Sequence, residues 1–179
     1  MPEEFVLELP DGQDNRTLIA LWDGMTVTVK LTGRTLYHDG EWNTLCLPFT
    51  LSNALDVSYP ALLGAERKLL DVAGKYNEQG QEYFGGDEQN EADYNIQTSF
   101  DAATGTLRLF FMDGDFDAGI PMLVKWENGE DIVSPTFERV TINKTLHDYT
   151  SADGSVSFRG TYDNRYFPVA NSSIYFMGM

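Results

Sequence analysis

The chain has 179 residues, of which 42% are hydrophobic and 13% aromatic. That supply builds a core and excludes general disorder, and no apolar run approaches the roughly 18 residues of a membrane span. The 12 Lys and Arg face 28 Asp and Glu, a formal net charge of −16 that repels phosphate backbones and anionic membranes. No nucleic-acid partner and no membrane insertion are expected.

Residues 5–9 form the first predicted strand. Asp14 or Asn15 caps a short helix through Trp22, closed by Gly24. In residues 25–32, Val27, Val29 and Leu31 alternate with Thr26, Thr28 and Lys30, the pattern of a strand with one buried face. Residues 34–38 and 43–48 flank Asp39-Gly40, a hairpin signal because both residues tolerate positive φ. A helical turn is expected at residues 52–63 and a strand at 66–72. Residues 76–93 are rich in Gly, Gln and acids, and read as a long, mobile insertion loop. Residues 94–100 and 106–112 form a second hairpin, with Gly105 at its left-handed position. Residues 120–126, 136–142, 154–162 and 173–177 complete the predicted strands.

About ten short strands separated by turn signals predict an all-β chain, one antiparallel β-sandwich over residues 1–179 with one or two short helices. A barrel is the alternative.

Cys46 is the only cysteine, so no internal disulfide forms, and its apolar neighbours predict a buried, inert thiol. A Cys–His nucleophile would need Cys46 beside His38 or His147. Apolar surroundings raise a thiol's pKa, and no third residue is evident to orient an imidazole. Asp113, Asp115 and Asp117 stand at alternate positions, as in calcium loops. The twelfth position of that loop is Val124 instead of a bidentate glutamate, so a solvated turn is the preferred reading. Two histidines are too few for a zinc site. The 28 acids allow so many carboxylate pairs that none points to glycoside hydrolysis. Phosphate loops and serine elbows are absent from the sequence. No cofactor is expected. Trp42, Tyr83, Phe84 and Tyr94 lie in or beside predicted loops, where exposed rings can stack on sugars.

The segment Leu31-Thr32-Gly33-Arg34-Thr35-Leu36-Tyr37-His38-Asp39-Gly40-Glu41-Trp42-Asn43-Thr44-Leu45-Cys46-Leu47-Pro48-Phe49 resembles "LTGRTLYKDGEWNTLCLPF". That stretch belongs to surface modules of Bacteroidetes-type secreted proteins, which accompany leucine-rich-repeat or other adhesin-like regions. Residues 118–126 resemble the family's "AGKPYIVKW", residues 132–137 its "I-x-N-P-x-F", and residues 156–162 its "F-x-G-T-Y". Ile120 and Met122 depart from that pattern, and the family continues into a last strand pair where this chain reaches Met179.

The resemblance implies an exported, non-catalytic β-sandwich module for adhesion, scaffolding or ligand presentation. It brings no catalytic residues. The acidic N-terminus, Met1-Pro2-Glu3-Glu4, is no signal peptide, so an export signal is expected to have been removed. A monomeric module at the cell surface or outside the cell, with a protein or glycan partner, follows. A carbohydrate-binding module with an aromatic platform is the second reading, and a small hydrolase the third.

Overall fold

The computed structural model describes residues 5–51, 66–69, 99–108, 110–111, 116–125, 130–151 and 153–163, with 66–69 and 110–111 described as backbone. The predicted turn at 52–63, the insertion loop at 76–93 and the last strand at 173–177 lie outside them.

In chain order the elements are β1 (Val6–Glu8), α1 (Arg16–Leu21), β2 (Thr26–Lys30), β3 (Thr35–Leu36), β4 (Asn43–Leu45), β5 (Glu66–Leu69), β6 (Ser99–Asp101), β7 (Thr106–Arg108), β8 (Phe110–Phe111), β9 (Met122–Lys125), β10 (Ile132–Val133), β11 (Thr136–Thr141), β12 (Asp148–Thr150) and β13 (Ser157–Arg159). The described chain is mostly strand with one short helix, as an all-β composition predicts. The sheets are small and separate: β1-β2-β11, β4-β9-β5-β8, and the pairs β3–β10, β6–β7 and β12–β13.

One pairing corrects the antiparallel expectation. β1 and β2 run parallel, with Leu7 opposite Val29. Parallel neighbours need a crossover of a dozen or more residues, and α1 supplies it. Asp14 Oδ1 accepts the Arg16 N–H at 3.1 Å at the start of this helix. Asn15 occupies the cap position but turns its amide to the Pro10 carbonyl at 3.0 Å. Gly24, at φ 78°, follows the helix as expected.

The Asp39-Gly40 hairpin is a second correction. Gly40 is left-handed at φ 86°. However, β3 pairs with β10, and β4 pairs with β9. The turn therefore carries the chain from one sheet to another. By contrast, the hairpin around Gly105 forms, with Ser99 opposite Arg108. A third difference concerns β2, where Thr28 is buried along with Val27 and Val29. β2 lies between β1 and β11, and its middle is covered on both faces instead of one.

β11 reaches β2 with Phe137 opposite Val29 and Val140 opposite Val27. Three steps on one strand match two on the other, which is a bulge. Arg139 absorbs the extra residue at φ 56°, and Phe137 and Val140 both stay buried. The core joins the two larger sheets through Phe49, which follows β4, and Phe137, whose ring centroids lie 5.1 Å apart. Leu36, Leu47, Leu51, Phe116 and Ile142 pack into the same cluster.

Five segments distant in sequence are joined by one chain of hydrogen bonds. The Leu47 carbonyl accepts the Gly119 N–H at 2.7 Å and the Tyr162 hydroxyl at 3.2 Å. The Gly119 carbonyl accepts the His147 N–H at 3.0 Å, and the Tyr162 carbonyl accepts the Asn15 N–H at 2.8 Å. Gly119 has φ 72°, and a Cβ there would meet the Thr145 carbonyl oxygen at 1.9 Å. Only glycine fits. Gly119→Ala is expected to destabilise by about 2–4 kcal/mol, from backbone strain plus overpacking. Gly12→Ala, also left-handed but open to solvent, is expected to cost only about 1 kcal/mol. Urea unfolding of the two variants checks the contrast, and equal losses would contradict the close contact at Gly119.

Candidate ligand-binding face

β3 and β10 form a two-residue ladder, with Leu36 opposite Ile132 and Thr35 opposite Val133. Leu36 points inward and is fully buried. Alternation sends its neighbour Tyr37 outward, on the same side as Val133. Both are exposed, Tyr37 at 50% and Val133 at 68%.

Side chains take over where the ladder stops. The Asn43 carbonyl oxygen accepts the Tyr37 N–H at 2.7 Å, and its amide donates to the Tyr37 carbonyl at 2.8 Å. Asn43 is itself buried, so both ends of the 37–43 turn are tied by one satisfied polar side chain. The Asp131 carboxylate accepts the His38 N–H at 2.7 Å. Next to it, His38, Glu130, Asp131 and Val133 line an open depression of about 450 Å³. The backbone beneath Tyr37 and His38 is thus held by three hydrogen bonds.

The residues predicted for aromatic stacking separate in space. Trp42 is half-buried, and the Lys125 ammonium sits 4.8 Å from its ring centroid, which occupies one face of the ring. Tyr83, Phe84 and Tyr94 lie outside the described residues. So do Asp113 and Asp115, while Asp117 is exposed. Among the described residues, no three His, Cys, Asp or Glu side chains gather as a metal site. The sequence reading passed over Tyr37, Glu130, Asp131 and Val133. The signal for Tyr37 was local, since an apolar Leu36 in a strand places the next side chain outside.

Cys46 is half-buried rather than buried. Its sulfur packs closely all the same, for a Cβ on Gly160 would meet it at 3.0 Å. Burial pushes the thiol up to about 12, a backbone hydrogen bond from Thr161 pulls it down, and the Asp148 carboxylate pushes it up further. That is the reverse of an activated nucleophile. The hairpin that would set His38 beside Cys46 does not form, and exposed His147 stacks obliquely on Tyr149 at 6.4 Å.

No family model, curated protein or solved structure matches the chain.

Two predictions follow from these contacts. Asn43→Ala strands the Tyr37 amide and carbonyl and is expected to cost about 1–3 kcal/mol, read as a lower urea midpoint. The second concerns alkali. Cys46 and Tyr162 are both raised by burial, Tyr162 also by the neighbouring thiol. Between the ordinary thiol value of 9.0 and the folded value of about 12, the folded chain holds protons that the unfolded chain has lost. Their stabilisation is complete below pH 9.0 and is lost as pH rises through the folded values. The urea midpoint should fall above that pH, and Tyr162→Phe should flatten the fall. An equally steep fall in Tyr162→Phe would show that the hydroxyl stays out of the transition.

Proposed function

We propose that this chain is an exported, non-catalytic, adhesin-like module that acts as a monomer at the cell surface or outside the cell. Its task is to present a face to a protein or glycan partner. The proposal includes the sandwich architecture, in which the β1-β2-β11 and β4-β9-β5-β8 sheets form the two layers. The contact between Phe137 of β11 and Phe49, four residues beyond the end of β4, supports that arrangement.

One observation carries the functional reading. The segments that bear the resemblance to Bacteroidetes-type surface modules fold onto one another. Residues 31–49 pair with 122–125 through β4–β9 and with 132–133 through β3–β10. The Leu31 N–H reaches the Pro135 carbonyl at 2.9 Å, and the Ser134 N–H reaches the Arg34 carbonyl at 2.7 Å. The Arg34 guanidinium donates to the Thr44 carbonyl at 2.8 Å, and Tyr162 closes on Leu47. These motif residues spend their polar groups on the fold, as an architectural signature does and a catalytic one does not. Accordingly, function falls to the exposed positions around them.

A second reading, carbohydrate binding, is favoured by the exposed ring of Tyr37 above a backbone held by Asn43.

The test is accessibility on intact producing cells. An antibody to the chain should label unbroken cells or be captured from the medium, and external protease should remove the label. Signal that emerges only after lysis would defeat the proposal.

A further inference from the structure

We propose that Tyr37, His38, Glu130, Asp131 and Val133 form a subsite for a neutral saccharide. The inference rests on the ligand-presenting reading above and names the ligand class for that face.

The depression that His38, Glu130, Asp131 and Val133 border is open and about 450 Å³, within the range of small-ligand sites, and Tyr37 adjoins it as the neighbour of His38 in sequence. An open site admits an internal ring of a chain as readily as a terminal one. Among the described residues its lining is mostly polar: an imidazole and two carboxylates beside one valine. Carboxylates only accept hydrogen bonds, so their partners must donate, and vicinal hydroxyls of a sugar do so in pairs. Asp131 spends one oxygen on the His38 N–H and retains a second. Tyr37, exposed on the outward side with Val133, offers the apolar ring face that a pyranose ring covers with its C–H bonds.

Charge narrows the class. A chain at −16 with two carboxylates in the site repels uronates, sulfated sugars and sialylated glycans. A lysine-bearing peptide shares the attraction to carboxylates. It uses three donors on a single point charge and makes no use of an exposed aromatic ring beside paired acceptors. The saccharide is therefore the better match. Preorganisation adds to it, because Asn43 and Asp131 hold the backbone of Tyr37 and His38 before any ligand arrives.

The experiment is binding of the purified chain to immobilised neutral glucan, mannan, galactan and xylan oligosaccharides. Uronate and sulfated oligosaccharides and a lysine-rich peptide form the comparison arms. At least one neutral oligosaccharide should bind, and about 0.5 M salt should leave that binding intact. Tyr37→Ala and Glu130→Gln should each weaken it by about tenfold or more. Tyr37→Phe should retain most of it, and Met25→Ala, on another surface, should match the parent chain. The Tyr37 backbone rather than its ring ties the turn, so these variants should keep the parent melting temperature.

Failure of every neutral oligosaccharide to bind overturns the inference. Salt-sensitive capture of the lysine-rich peptide alone also overturns it, yet leaves the ligand-presenting reading standing. Neutral binding undiminished in both Tyr37→Ala and Glu130→Gln overturns this site. Failure of the surface-accessibility test defeats the exported-module reading whatever the purified chain binds.

Discussion

The Leu47 carbonyl is the point on which the described fold depends. It accepts from the Gly119 amide and the Tyr162 hydroxyl, and so binds a segment after β4 to one before β9 and another after β13. Each bond is modest, about 1 kcal/mol net. Their weight comes from geometry. The Gly119 backbone lies so close to Thr145 that a single methyl group has no room. Gly160 is pressed in the same way against the Cys46 sulfur and the Leu146 side chain. Close packing of backbone on backbone shuts out water, and it raises both the Cys46 thiol and the Tyr162 hydroxyl. The same contact that joins the segments also silences the one thiol in the chain.

Short sheets leave many backbone groups without a ladder partner, and this chain answers with aspartate and asparagine. The Asp14, Asp39, Asp101 and Asp153 carboxylates each accept a backbone N–H two residues on. Asp23 and Asp131 do the same across the chain, to Lys144 and His38. Arg16 hydrogen-bonded to Asp14, and the Ser151 hydroxyl on Asp153, hold those two carboxyls down at about 2. Part of the acidic composition is thus turn chemistry, with each charge at the surface and its acceptor lone pairs used. The exposed ion pairs, Arg16 with Asp14 and Lys144 with Asp23, add little beyond this because water screens them.

The candidate face grows out of the same economy. Where β3 stops pairing with β10, Asn43 and Asp131 replace the missing ladder bonds. That replacement frees the chain to turn between sheets while keeping Tyr37 and His38 in one place. A continuous hairpin would have bound the Tyr37 backbone into a ladder with β4 and left no depression at its end. Side-chain anchoring lets the outward residues of a very short strand act as a rim.

Local chemistry made much of this legible. Alternating Val27 and Val29 marked β2, the Asp14–Asn15 start and Gly24 marked α1, and Gly105 marked a hairpin that forms. Glycines needing positive φ, such as Gly40 and Gly105, were visible because their neighbours are turn formers. Such signals act within a few residues and need no partner to be read. Pairing is different, because a strand's partner is set by whatever surface buries its apolar face. Arg34 to Pro48 looked like one hairpin, yet β3 and β4 paired with β10 and β9 instead. The strand–helix–strand segment of β1, α1 and β2 was read into an antiparallel sandwich, and its parallel pairing emerged only with the helix packed in place. Tyr37 became a surface residue because Leu36 went inward, and its turn is tied by a buried Asn43 that local sequence cannot distinguish from a solvated one. Turns and the longer alternating strands were therefore legible in the sequence alone, while the short β10 and β12, the strand partners, burial and the exposed face were decided by tertiary packing, because burial is a property of two surfaces meeting and not of either one.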